Sequence, residues 1–226
     1  MSGAKYSKFL TILLVLIIVA IIGLLGYLGY NYYTNYTTAN DADQYVSTFI
    51  EEVGENDNNK TTEETTSEGA DLSEGIETVE TTGSNGKSTV KTYKGYPVIG
   101  TIEIPSTNIK YPILNDPPTV KKLETSVAAL YPQNAQVNTV GNVVIVGHNY
   151  RNGLFFSNNK KLKNGDKIYI TDLSGKKVTY VVYNVFQAAE TDTSFFNRDT
   201  DGAMEITLST CTDDSSARII VEAKAQ

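Results

Sequence analysis

One cysteine and one histidine stand in 226 residues. A single cysteine excludes an internal disulfide framework and a cysteine-rich zinc site. With one histidine as well, a metal site would have to be built mostly from carboxylates, and none cluster suggestively. Basic runs and basic-aromatic patches are lacking too, which argues against a nucleic-acid surface. No Lys or Arg occurs between Lys8 and Lys60. The net charge of −7 is unevenly spread. Thirteen of the 26 acidic residues lie between Asp41 and Glu80, whereas from Tyr93 onward 14 basic residues face 13 acidic ones. The acidity therefore belongs to a connector, and the part expected to fold is close to neutral.

The basic gap brackets a long apolar run. Phe9 to Leu28 carries no charge over twenty residues, and as a helix at about 1.5 Å per residue it spans roughly 30 Å, the hydrocarbon thickness of a bilayer. Lys5 and Lys8 precede it; Asp41, Asp43, Glu51 and Glu52 follow. The positive-inside rule then puts residues 1–8 in the cytoplasm and the rest of the chain outside. Tyr27, Tyr30, Tyr32, Tyr33 and Tyr36 form an aromatic girdle at the outer interface. A cleaved signal peptide is the rival reading, but its apolar region is shorter and ends in small residues. The expectation is a single-pass anchor over 9–30, in the plasma membrane.

Residues 31–92 read as an acidic flexible tether. Thr, Glu, Ser, Asn, Gly and Asp dominate from Asn40 on. Such a composition buries too little surface to offset the entropy of ordering. A short helix over Asp43 to Val53 is compatible with the pattern. The tether is expected to contribute nothing to the fold.

Tyr93 to Gln226 is dominated by strand signals. Strands are expected at 97–104, 109–113, 126–130, 142–147, 167–171, 177–189, 206–211 and 218–223. Short helices are expected at 120–123 and 154–161. Eight short strands with little helix suggest a closed or nearly closed β-barrel, a mainly β fold.

Two of these strands end on the rare residues. Ile206-Thr207-Leu208-Ser209-Thr210-Cys211 ends on the cysteine, and Asn142-Val143-Val144-Ile145-Val146-Gly147 leads to His148. A lone strand cysteine is usually packing, a lone loop histidine is usually solvated, and Arg218 by itself is an ordinary surface charge. Register strengthens the group. Side chains alternate along a strand, so Ile206, Leu208 and Thr210 share one face and Cys211 lies on the other. Matching the apolar faces pairs Thr210 with Ile219, and hence Cys211 with Arg218. Opposed Cβ atoms lie about 4.5–5.5 Å apart, so the pattern sets a guanidinium beside the thiol. A thiolate can attack a carbonyl, an imidazolium can protonate a leaving amine, and a guanidinium can stabilise the developing oxyanion. That combination is acyl transfer through a thioester.

Thr207-Leu208-Ser209-Thr210-Cys211 resembles the TLxTC signature of sortases, the cysteine transpeptidases of Gram-positive surfaces. The family's arginine follows on the next strand, as Arg218 does, and its histidine follows a buried strand, as His148 does. The resemblance covers Tyr93 to the C-terminus. It implies an eight-stranded barrel and no cofactor. It makes Cys211 the nucleophile toward an LPxTG-like sorting signal and His148 the acid and base, with Arg218 stabilising the oxyanion or orienting the substrate. Ser209 and Thr210 become substrate-binding positions, Thr210 shaping the oxyanion site. The partners implied are sorting-signal peptides of secreted proteins and an amine of the cell wall or a pilin. A class D-like enzyme is the preferred class, with some class B-like features around His148 and Cys211. Gln133 to Asn138 contains no acid, and Glu190 with Asp192 makes a poor site, so no calcium requirement is expected. Two other functions remain open: a cysteine peptidase that only hydrolyses, and a non-catalytic surface binding domain with Cys211 merely buried.

Overall fold

The computed structural model describes residues 3–58, 78–80 and 89–226. The chain divides into two compact units, Met1–Asn40 and Asp41–Gln226. A single helix, α1 (Gly3–Asn58), contributes to both. In the first unit it holds the one segment among the described residues long and apolar enough to cross a membrane. Its side chains from Phe9 to Leu28 are exposed, as befits a surface suited to lipid rather than to a protein interior.

The second unit is a barrel with additions. Its eight strands are β3 (Tyr96–Ile104), β4 (Ile109–Leu114), β5 (Val127–Tyr131), β6 (Gly141–Val146), β7 (Lys167–Asp172), β8 (Lys177–Ala189), β9 (Met204–Cys211) and β10 (Ala217–Ala225). Around the wall the order is β3-β4-β5-β6-β9-β10-β8-β7, and β7 pairs with β3 to close it. The closing register sets Ile102 against Ile170. Pairings β4–β5 and β6–β9 are parallel; the other pairings in the wall are antiparallel. Closure leaves no free edge in the wall. A short hairpin, β1 (Thr78–Glu80) with β2 (Thr89–Tyr93), extends from β3.

Alternation fills the interior. Ile102, Ile104, Ile113, Ile145, Ile168, Ile170, Ile206, Leu208 and Val221 are almost wholly buried in one cluster. These are every-second positions of their strands, as period two requires. Each expected strand is present, its ends within two residues of the expected ones.

Two expectations fail. The first is the tether. Residues 41–58 are helical and lie on the barrel, with Tyr45, Phe49 and Val53 buried against Tyr93, Val98, Leu114 and Ala128. Lys110 pairs with Asp43 at 3.0 Å and Lys94 with Asp41 at 3.3 Å, while Lys91 contacts Glu52. The polar composition concealed three apolar residues at i, i+4 and i+8, which is one helical face. The acids along that helix meet lysines of the barrel unit. Gly175, in the β7–β8 turn at φ +88°, lets the helix approach: a Cβ there would lie 2.9 Å from the Val53 carbonyl oxygen. The rest of the expected tether, 59–77 and 81–88, lies outside the described residues.

The second failure is the helix expected over 154–161. Only a 3-10 turn forms, Asn159–Lys161. Phe155 adopts φ +50°, which no right-handed helix accommodates. Its N–H donates to the Tyr111 hydroxyl at 3.2 Å, and it forms an isolated bridge with Asn149. The loop is therefore held by tertiary bonds. The other short helix does form, as α2 (Val120–Thr125), capped by the Thr119 hydroxyl accepting from the Lys122 N–H at 3.3 Å.

Candidate active site

The site grows from two parallel strand ends. β6 and β9 run side by side with Val146 opposite Ser209. The ladder continues one step further, the Gly147 N–H donating to the Ser209 carbonyl at 3.2 Å. β6 thus leads directly into His148 beside the end of β9 that carries Cys211. The Thr210 hydroxyl donates to the Gly147 carbonyl at 2.7 Å and ties the two ends together. Gly147 allows close packing beneath: a Cβ there would meet Phe156 and Val127 at 2.9 Å. The parallel pairing brings together two residues 63 positions apart in the chain.

β10 supplies the third group. Arg218 lies opposite Cys211 and Ile219 opposite Thr210, the register that the apolar pattern demands. The Arg218 Nη1 donates to the Cys211 sulfur at 3.1 Å. Its Nη2 donates to the Glu190 carboxylate at 2.7 Å. Cys211 is half-buried, and its sulfur lies beside a cation.

His148 is half-buried, its ring 4.9 Å from that of Tyr150. Burial pushes its pKa below the usual histidine value, and the Glu124 carboxylate on α2 pulls partly the other way. Asn149 fastens the loop after it. The Asn149 amide donates to the Cys211 carbonyl at 2.9 Å and to Asp213 at 3.0 Å. Lys160 contacts the other oxygen of Asp213. Hydrogen bonds to Lys160 and Asn149 hold the Asp213 carboxyl below the usual range.

The three residues singled out from the sequence thus converge at one end of the barrel wall. The two expected substrate-binding residues sit differently. Ser209 and Thr210 are 5% and 3% exposed, and the Thr210 hydroxyl is already engaged with Gly147. Both side chains are packed into the wall at the end of β9. Sequence reasoning missed Glu190, Asn149 and Glu124 as neighbours of the trio. Glu190 had a signal: β8 pairs with β10 so that Ala188 opposes Arg218, and residue 190 follows on the same face. Among the described residues no group of three or more His, Cys, Asp or Glu is arranged to hold a metal ion.

The closed eight-stranded barrel is the fold that the TLxTC resemblance implies. Residues 102–226 match the family model described as the sortase domain. The chain belongs to the sortase family. Sortase A of Bacillus anthracis is 37% identical over 127 residues, covering 55% of this chain and 58% of that protein. This sortase spans about half the length of the curated relatives it matches. Among solved structures, a Clostridium perfringens sortase D5 transpeptidase superposes with a TM-score of 0.52 at 30% identity, covering 57% of this chain and 79% of that one. A lid mutant of sortase A from Corynebacterium diphtheriae gives 0.52 at 31% identity, covering 58% and 71%. The barrel of this sortase is thus shared by relatives named for classes A and D.

Proposed function

We propose that this sortase is a single-pass membrane enzyme that cleaves an LPxTG-like sorting signal and joins the released acyl group to an amine. The observation that carries the reading is the 3.1 Å contact of the Arg218 guanidinium with the only sulfhydryl, at the strand end adjoining His148. In the first step the Cys211 thiolate attacks the threonine carbonyl carbon of the signal. Charge moves onto the carbonyl oxygen, where Arg218 donates. The carbon–nitrogen bond to glycine then breaks, and the His148 imidazolium protonates the departing amine. A thioester remains on Cys211. In the second step a primary amine attacks the thioester and passes a proton to His148. The carbon–sulfur bond breaks, Cys211 leaves as thiolate, and a new amide forms. Ser209 and Thr210 serve by holding the strand end that shapes the oxyanion site. The acceptor amine belongs to a cell-wall precursor or a pilin. The N-terminus lies in the cytoplasm and the barrel outside.

The test uses the full chain in detergent micelles with a quenched LPxTG-type peptide, with and without a small primary amine. Transpeptidation predicts an amine-linked product by mass spectrometry, a trapped acyl-enzyme mass on Cys211, and no product from Cys211→Ala. Cleavage that ignores the amine would leave a hydrolase. No cleavage across a peptide library, together with a thiol inert to alkylation, would leave a binding domain.

A further inference from the structure

The Arg218 guanidinium has two different nitrogens engaged. Nη1 donates to the Cys211 sulfur at 3.1 Å, and Nη2 donates to Glu190 Oε1 at 2.7 Å. Arginine is long, and a single contact at its tip leaves the planar group free to rotate. Contacts at both terminal nitrogens define its plane. On β8 the residue opposite Arg218 is Ala188, whose methyl can accept nothing. The first acceptor side chain beyond it is Glu190, which opens the β8–β9 loop.

That loop is itself fixed. The Asn142 amide donates to the carbonyls of Phe195 and Phe196, both at 2.9 Å. Arg198 pairs with Glu205 at 2.8 Å and with Glu222 at 3.0 Å. Phe195 packs with Val144, Ala188 and Ile220 on the outer face of the wall. The loop therefore delivers the Glu190 carboxylate to Arg218 from an anchored backbone. The side chain of Glu190 is 65% exposed. A pair this open contributes little to folding, so its worth lies in where it holds the guanidinium.

We infer that Glu190 is a positioning residue for Arg218, holding Nη2 so that Nη1 stays aimed at Cys211 and at the oxygen that becomes charged. The inference rests on the proposed role of Arg218 in that reaction. It assigns to the β8–β9 loop a direct hand in turnover, through one carboxylate.

The experiment compares Glu190→Ala, Glu190→Gln, Arg218→Ala and the Glu190→Ala/Arg218→Ala pair in the detergent-solubilised full chain. Peptide cleavage is followed for hours, and melting is measured in parallel. Glu190→Ala should lower kcat roughly tenfold, short of the ~hundredfold that a 1 Å misplacement can cost. KM should stay within about twofold, because the residue acts through Arg218 and the loss falls on the charged transition state. Glu190→Gln keeps the acceptor oxygen and should recover part of the loss. In the Arg218→Ala background, Glu190→Ala should cost nothing further, since the two act as a unit. Melting temperature should not move. An unchanged kcat in Glu190→Ala beside a crippled Arg218→Ala would overturn this inference alone. Equal losses with and without Arg218, or a lowered melting temperature, would do the same by making Glu190 structural. A fully active Arg218→Ala would instead remove the role of Arg218, and this inference with it.

Discussion

At the scale of single residues, the proposed reaction asks for a guanidinium with a particular shape at position 218. Lysine keeps the charge of Arg218 but has no planar fork, so it cannot reach the sulfur and Glu190 in one plane. Arg218→Lys should therefore cut peptide turnover about a hundredfold, the scale of a lost oxyanion donor, with little change in melting temperature. Steady-state kinetics beside a melting curve reads both. His148 gives a second prediction. Burial lowers its pKa, and Glu124 partly restores it. The folded state thus prefers the neutral ring and binds fewer protons than the unfolded chain at mildly acid pH. Stability should fall as pH drops from about 6.5 toward the lowered value, and less so in His148→Gln. In the proposed mechanism the same sign governs turnover. Glu124→Gln removes the charge that favours imidazolium, so the fraction carrying a proton for the leaving amine declines. Turnover at neutral pH should fall about two- to threefold, the scale of one exposed charge. In the pH–rate profile, the limb that reports imidazole should move to lower pH. A pH–rate series on both proteins is the measurement; an unmoved limb would show that Glu124 does not act on His148.

At the scale of elements, the docked part of α1 was the surprise. A segment with four acids in twelve residues from Asp41 to Glu52 looks like linker. Yet Phe49 is wholly buried, Tyr45 meets Tyr93 edge-on at 4.8 Å, and the Lys91 ammonium lies 5.2 Å from the Phe49 ring centre. Phe49→Ala should lower the stability of the barrel unit by about 3 kcal/mol, the cost of a large-to-small change at a buried aromatic. Denaturant titration measures it. The same cluster includes Leu123 of α2, one residue before Glu124. Loosening the docked helix should accordingly be felt near His148, and a drop in turnover larger than the unfolded fraction explains would reveal it.

For the whole molecule, the division after Asn40 sets where the chain can be cut. A soluble fragment beginning at Asp41 keeps every buried contact of the second unit. It should melt cooperatively and process short peptides at the rate of the full chain. A fragment beginning at Thr92 loses the docked helix and uncovers Tyr93, Val98 and Leu114. It should melt at a lower temperature and bind a hydrophobic dye. Calorimetry on the two fragments decides the matter, and equal melting temperatures would restore the tether reading. In intact cells, external protease should reach the barrel and spare a tag placed before Lys5, as the positive-inside rule requires.

The sequence alone determined whatever is local or periodic. Alternation marked the strands and their inward faces, and the length of an uncharged run marked the helix apolar enough to cross a membrane. Face matching alone pairs Cys211 with Arg218, because a slip of one residue would turn every apolar side chain of β9 outward. Three things were decided only by tertiary structure. The parallel pairing of β6 with β9 brings the strand end that leads to His148 beside the one that carries Cys211, and no local pattern encodes which strand ends become neighbours. Phe155 left the helical region because Tyr111, 44 positions earlier, offered its hydroxyl. The helix after Asp41 became ordered because its i, i+4, i+8 stripe found an apolar surface on the barrel and its acids found lysines. Without that surface its composition favours solvation, since burial supplies what offsets the entropy of ordering.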